Sequence, residues 1–240
     1  MTDAPRPCSN HLDLVAFQYP LPHLADAFKR QRKTRIVAIG SSSTAGEGGI
    51  IPFPHRLELA LRKRAYGGMV DVLNRGIIAQ EAQDELARFE GDVMAEAPAM
   101  VIWQIGTNAV FHKEIYNFDD IAAALASGLD WLAPLPIDVV LMDLQYTTAV
   151  VKPEKIEFAR QMVSLISAAA AAARVNVFRR FELMRQWNEN DGVPMSDLID
   201  PTDPDQLHMS DWATQCLANS LDAAIGRAIG KVHGNSQPAA

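Results

Sequence analysis

Two stretches of the chain carry residue types that could do chemistry together. Near the N-terminus, Gly40-Ser41-Ser42-Ser43-Thr44-Ala45-Gly46-Glu47-Gly48-Gly49 strings hydroxyls through a turn of small residues. Near the C-terminus, Asp205-Gln206-Leu207-His208 sets a carboxylate three residues ahead of an imidazole. A serine hydroxyl is a poor nucleophile until a base takes its proton, and an imidazole titrating near neutral pH suits that task. A carboxylate that accepts from the second ring nitrogen fixes the tautomer and stabilises the imidazolium. A serine of the first stretch, His208 as base and Asp205 as its orienting partner are therefore the parts of an acyl-transfer site, with Asp203 as the rival carboxylate.

Other readings of the glycine-rich stretch fail on spacing. A phosphate-binding loop needs GxxxxGK[ST], whereas five residues separate Gly40 from Gly46 and Glu47 stands where the lysine belongs. No GxGxxG dinucleotide fingerprint is present. No glycine lies two residues after any of these serines, so a GxSxG nucleophile elbow is absent too. What remains is a serine nucleophile at a strand exit, with partners supplied by later loops.

The elements that must position these groups read as alternating βα units. Short, largely apolar runs at 35–39, 70–74, 100–105, 139–144 and 175–178 suit parallel strands covered on both faces. Amphipathic segments at 56–65, 80–94, 121–132, 153–173 and 210–229 suit the intervening helices, the last with Ser210 as N-cap and Asp211 beside the positive end of the dipole. The expected fold is a three-layer α/β/α domain over 34–233 with a central parallel sheet of about five strands. Residues 1–33 read as an N-terminal extension lying on the surface, and 234–240 as a small polar tail expected to be disordered.

In an open parallel sheet, functional residues gather at the carboxyl ends of the strands. The serine stretch follows the first strand, Asn74-Arg75-Gly76 the second and Gln104-Ile105-Gly106-Thr107-Asn108 the third, while Asp205 and His208 precede the last helix. Four such blocks in this order resemble the SGNH hydrolase superfamily of GDSL-type esterases and lipases. The resemblance runs from Gly40 to about Trp212 and implies a flavodoxin-like fold. It matches Ser42 to the nucleophile, Gly76 to the second-block glycine, Asn108 to the third-block asparagine, and Asp205 and His208 to the DxxH pair. By the same resemblance the N–H groups of Ser42 and Gly76 and the amide of Asn108 form the oxyanion hole. Two positions depart from the family pattern: Ser41 stands where the first block has Asp, and Ala109 where the third has Asp. Neither position belongs to the triad. Both bear on how the loops are braced.

The resemblance implies hydrolysis of a carboxylic ester through an acyl-serine intermediate, with no cofactor. The expected substrate is a small-molecule ester of a small acyl or acetyl group, acetylated carbohydrates included. The alternative is a non-catalytic domain of the same fold that holds a carbohydrate or anionic ligand on its loop amides.

Composition narrows the partners. The 240 residues carry 22 Lys plus Arg against 29 Asp plus Glu, a net charge of −7, which offers no long-range attraction to a nucleic-acid backbone. The basic run Lys29-Arg30-Arg32-Lys33-Arg35 reads as a solvated helix end. No His/Cys/Asp/Glu spacing suggests a metal. His55 and His112 follow the first and third strand loops, where they are positioned for a pocket mouth, and 50–54 and 187–198 are the expected substrate-shaping loops. Cys8 and Cys216 form no disulfide framework or CxxC knuckle and are expected as free thiols. With no signal peptide or membrane-length apolar run, the expected location is the cytoplasm.

Overall fold

The computed structural model describes residues 6–30, 33–64 and 68–234. The tail at 235–240, residues 1–5, Arg32 and Ala65 lie outside the described residues. Five strands, β1 (Lys33–Gly40), β2 (Met69–Gly76), β3 (Met100–Gln104), β4 (Asp138–Met142) and β5 (Asn176–Phe178), pair in the order β2-β1-β3-β4-β5, every pair parallel. Each lies within two residues of its expected position.

The strands bury alternate residues on opposite faces, as the two-residue period of a strand requires. Ile36, Ala38, Met100, Ile102, Val140 and Met142 pack into one apolar layer. Val37, Ile39, Val101, Trp103, Val139 and Leu141 pack into the other. The first layer is closed by α1 (Leu12–Val15), α2 (Pro22–Arg30), α4 (Phe53–Arg64), α10 (Arg180–Glu189), α11 (Met195–Leu198) and α12 (Asp211–Gly234). The second is closed by α5 (Ala82–Leu86), α6 (Phe89–Asp92), α8 (Phe118–Leu132) and α9 (Ile156–Ala173). Two short helices, α3 (Ser42–Ala45) and α7 (Thr107–Phe111), open directly from the carboxyl ends of β1 and β3. The three-layer α/β/α fold with a five-stranded parallel sheet is thus present.

Four expectations need correction. The helix expected at 80–94 is two short helices and a 3₁₀ turn, because Glu81 and Asp84 form a capping box that starts α5 and the chain turns again at Arg88 before α6. Trp187 is not in a loop. It is buried within α10, which the sequence reading lacked, and only the downstream part of 187–198 lies beside an open groove. The N-terminal segment is no surface appendage: Val15, Phe17, Leu21, Leu24 and Ala27 sit in the core, and Asn176 holds Tyr19 by hydrogen bonds to both its backbone N–H and C=O, at 2.9 and 3.1 Å. Asp138, whose carboxyl burial pushes up to about 6, accepts the Leu24 N–H at 2.8 Å.

Nor are the cysteines free. Cys8 and Cys216 form a disulfide, Cα atoms 5.3 Å apart, that ties the N-terminal segment to α12. Two cysteines make no framework, but one bridge suffices to close a long loop, so the expectation of free thiols fails. Because the bridge spans 208 residues of chain, its removal frees a large denatured ensemble. Reduction, or Cys8→Ser, is expected to cost about 3–5 kcal/mol. Thermal unfolding with and without reductant would register this as a Tm lower by about 10 °C. An unchanged Tm would show that the bridge does not form in solution.

The basic run, expected as a helix end, spans the end of α2 and the start of β1: Arg30 closes the helix and pairs with Asp26, whereas Lys33 and Arg35 stand in the strand and pair with Asp71 and Glu96. Among the described residues, no helix is long and apolar enough to cross a membrane.

Candidate active site

Strand β1 ends at Gly40 and the chain turns at once into α3, so Ser42 occupies the first position of a helical turn at the carboxyl edge of the sheet. The turn is seated on β2. A Cβ at Gly76 would lie 2.1 Å from the Ala45 backbone nitrogen, so only glycine lets the serine turn approach this closely. Strand β3 contributes Gln104, whose Oε1 accepts from the Ser41 N–H (3.0 Å), the Ser41 hydroxyl (3.0 Å), the Ser43 hydroxyl (3.0 Å) and the Thr44 hydroxyl (3.1 Å). The neighbours of Ser42 are therefore all turned onto one amide oxygen. Ser42 alone is turned away.

Its hydroxyl lies 2.9 Å from His208 Nε2, and His208 Nδ1 lies 2.9 Å from Asp203 Oδ2. The structure thus brings Ser42 and His208 together, but the carboxylate on the imidazole belongs to Asp203. Asp205 is exposed, and its N–H donates to Asp203 Oδ1 at 3.0 Å. The cause is the turn between them. Gln206 adopts a left-handed conformation (φ 54°), which folds residues 205–208 back over the Asp203 carboxylate. Asp203 Oδ2 then also collects the N–H groups of Leu207 (2.8 Å) and His208 (2.7 Å). Burial pushes the Asp203 carboxyl up, but the N–H donors of His208, Leu207 and Asp205 and the facing imidazole outweigh it and hold the group below the ordinary carboxylate range. It is an ionised acceptor fixed before any substrate arrives.

The expected oxyanion donors are placed differently from one another. The Ser42 N–H, in the first turn of α3, has no acceptor among the described residues. The Gly76 N–H is already spent on Asn74 Oδ1 at 2.9 Å, so this residue contributes its missing side chain more than its amide. Asn108, buried in α7, donates one amide hydrogen to the Gln80 carbonyl at 2.7 Å and has a second to give.

Several positioning groups had no signal in the sequence. Arg180, at the start of α10 just past β5, is buried with its guanidinium on the Asp143 carbonyl (2.9 Å), the Ser43 hydroxyl (3.2 Å) and the Thr107 hydroxyl (3.4 Å). Burial lowers it to about 10, opposed by nearby Asp143, so it remains cationic at neutral pH. Glu81, buried, accepts the N–H groups of Gly106 (2.9 Å) and Ala109 (2.8 Å) and so braces the turn that carries Asn108. Its carboxyl is raised by burial against those donors. Trp103 donates to buried Glu85 at 2.7 Å behind it. The only hint of these roles is that Gln104 and Arg180 stand at strand exits.

Ser42, His208, Ile50, Pro52, Phe53 and Met209 surround a small cavity of about 20 Å³. On the other side of Gly49 and Ile50 an open groove of about 810 Å³ runs past Asp200, Thr202, Ser196 and Trp212. His55 and His112 border neither space. Among the described residues no cluster of three or more His, Cys, Asp or Glu is arranged to hold a metal ion.

Residues 7–231 match the non-GDSL lipase-like family. The chain belongs to that family. No curated protein matches. Among solved structures, the chain is similar to the acetylxylan esterase Axe2 of Geobacillus stearothermophilus, at 21% identity over 80% of this chain and 94% of that one, with a TM-score of 0.67. Catalytic mutants of Axe2 replace a serine, an aspartate and a histidine. A lipase/acylhydrolase of Enterococcus faecalis is similar at 21% identity over 86% of this chain and 99% of that one, with a TM-score of 0.64. At these identities the likeness is one of fold, and the fold is that of the SGNH-like hydrolases.

Proposed function

We propose that this lipase-like protein hydrolyses carboxylic esters of a small acyl group through an acyl-Ser42 intermediate. The observation that carries the reading is the continuous relay Asp203–His208–Ser42, with both links at 2.9 Å. Ser42 Oγ attacks the carbonyl carbon while its proton passes to His208 Nε2. The carbonyl π pair moves to oxygen, where the free Ser42 N–H and the second amide hydrogen of Asn108 are the candidate donors. His208 then protonates the departing alkoxide, and water repeats the sequence on the acyl-enzyme. The scheme uses no cofactor.

The acyl side is limited by space. A cavity of about 20 Å³ is close to the least that holds a water molecule, so an acetyl methyl is near the largest group it takes without rearrangement. The open, polar-lined groove leaves the alcohol side less restricted. The acetylated carbohydrate that the name of Axe2 gives as its substrate has both properties, and a substrate of this kind is proposed here.

A series of p-nitrophenyl esters tests the reading. The expected result is hydrolysis of the acetate, with kcat/KM falling at least about tenfold by the butyrate as added methylenes meet the cavity wall. A flat profile would overturn the small-acyl assignment. No turnover of any ester, and no labelling by a fluorophosphonate probe in folded protein, would favour the ligand-binding alternative.

A further inference from the structure

Glu47 is an ionisable group beside Ser42 and His208 that the proposed chemistry leaves unused. Its Oε2 lies 3.4 Å from His208 Nε2, the same ring nitrogen that meets Ser42 Oγ at 2.9 Å. The carboxylate has no other partner among the described residues, is about one-third exposed, and lines the same small cavity as Ser42 and His208. It is carried between Gly46 (φ 83°) and Gly48 (φ 58°), two left-handed positions that make the chain double back toward the imidazole.

We propose that Glu47 is a positioning residue that works on His208 from the edge opposite Asp203, favouring the charged imidazolium and disfavouring esters with negative charge beside the scissile bond. This rests on the hydrolase reading above. When Ser42 gives up its proton, the new Nε2–H stands between Ser42 Oγ and Glu47 Oε2, and the carboxylate stabilises the cation without taking the proton. A substrate anion arriving at the cavity mouth meets like charge at short range, where solvent screens it least.

The other groups facing His208 set the background. Asp203 is on Nδ1, and cationic Arg180 lines the same cavity from α10. The uncharged Thr214 does so from α12. Asp200 donates its N–H to the His208 carbonyl at 3.0 Å from the preceding turn. Arg180 opposes Glu47 in sign but is fixed by three hydrogen bonds to Asp143, Ser43 and Thr107, so Glu47 is the charge that can be altered without disturbing the turn.

The test compares the full-length protein with Glu47→Gln and Glu47→Asp by the rate of fluorophosphonate labelling and by phenyl acetate against 4-acetoxybenzoate. In Glu47→Gln the rate of labelling is expected to fall and the preference for the neutral ester to shrink, each by about tenfold. Glu47→Asp, which keeps the charge, is expected to stay within about threefold of the parent in that preference. An unchanged labelling rate and preference in Glu47→Gln, in protein that still labels and turns over, would overturn the proposal while leaving the hydrolase reading intact. Absence of labelling in the parent protein would instead overturn both.

Discussion

Ser42→Ala is expected to abolish ester turnover and fluorophosphonate labelling, with kcat reduced by roughly 10⁶-fold, the scale seen when a serine protease loses its nucleophile. The argument is geometric. Within the serine run, Ser41 and Ser43 hydroxyls are both committed to Gln104 Oε1 at 3.0 Å, and only Ser42 Oγ meets an imidazole. Ser41→Ala or Ser43→Ala removes one of four donors from a single acceptor and leaves the attacking hydroxyl in place. Those variants are expected to keep labelling, with kcat lower by about tenfold or less, a hydrogen bond's worth of positioning. Steady-state kinetics on an acetyl ester, with intact-mass detection of the labelled protein, separates the three serines. A labelled Ser42→Ala protein would place the nucleophile at a neighbour and undo the assignment.

Much of this arrangement was legible in the sequence because it follows from local pattern. Each strand is a short apolar run flanked by breakers, and a parallel sheet then obliges the loops after β1, β2 and β3 to share one edge. Gly40, Ser42, Gly76 and Asn108 are found there for that reason. What escaped was set by contacts distant in sequence or by a single backbone torsion. The bridge from Cys8 to Cys216 depends on the N-terminal segment lying against α12, which no periodicity in 6–30 announces. α10 begins at a buried arginine and carries Trp187 inward, so its polar composition read as a loop.

The two departures from the family pattern find physical substitutes. Where the first block lacks its Asp, Gln104 gathers the turn from the adjacent strand with four hydrogen bonds. Where the third lacks its Asp, the Glu81 carboxylate holds the Gly106 and Ala109 amides from the start of α5. Bracing that the resemblance placed within each loop is supplied here from the neighbouring element. Side-chain acceptors of this kind leave no spacing signature, since many of their donors are backbone N–H groups whose residue identity is free to vary.

Exchanging the two carboxylates of the last loop gives the second large effect. Asp203→Asn is expected to lower kcat by about 10⁴-fold, as loss of the orienting carboxylate does in a serine triad, whereas Asp205→Asn is expected to stay within about threefold of the parent. The side-chain amide introduced by Asp203→Asn offers only one acceptor oxygen, uncharged. In the parent, the carboxylate oxygen Oδ2 receives the N–H groups of Leu207 and His208 together with His208 Nδ1, and Oδ1 receives that of Asp205. The imidazolium loses its counter-charge and its enforced tautomer, and the turn loses part of its anchor. Because that second loss is structural, thermal unfolding should accompany the kinetics: a Tm within a few degrees of the parent assigns the fall in kcat to His208. Asp205 exposes its carboxylate to solvent and contributes a backbone N–H that Asp205→Asn retains. The reverse ranking, with Asp205→Asn inactive and Asp203→Asn active, would mean that the loop rearranges in solution to the DxxH geometry that its spacing suggests.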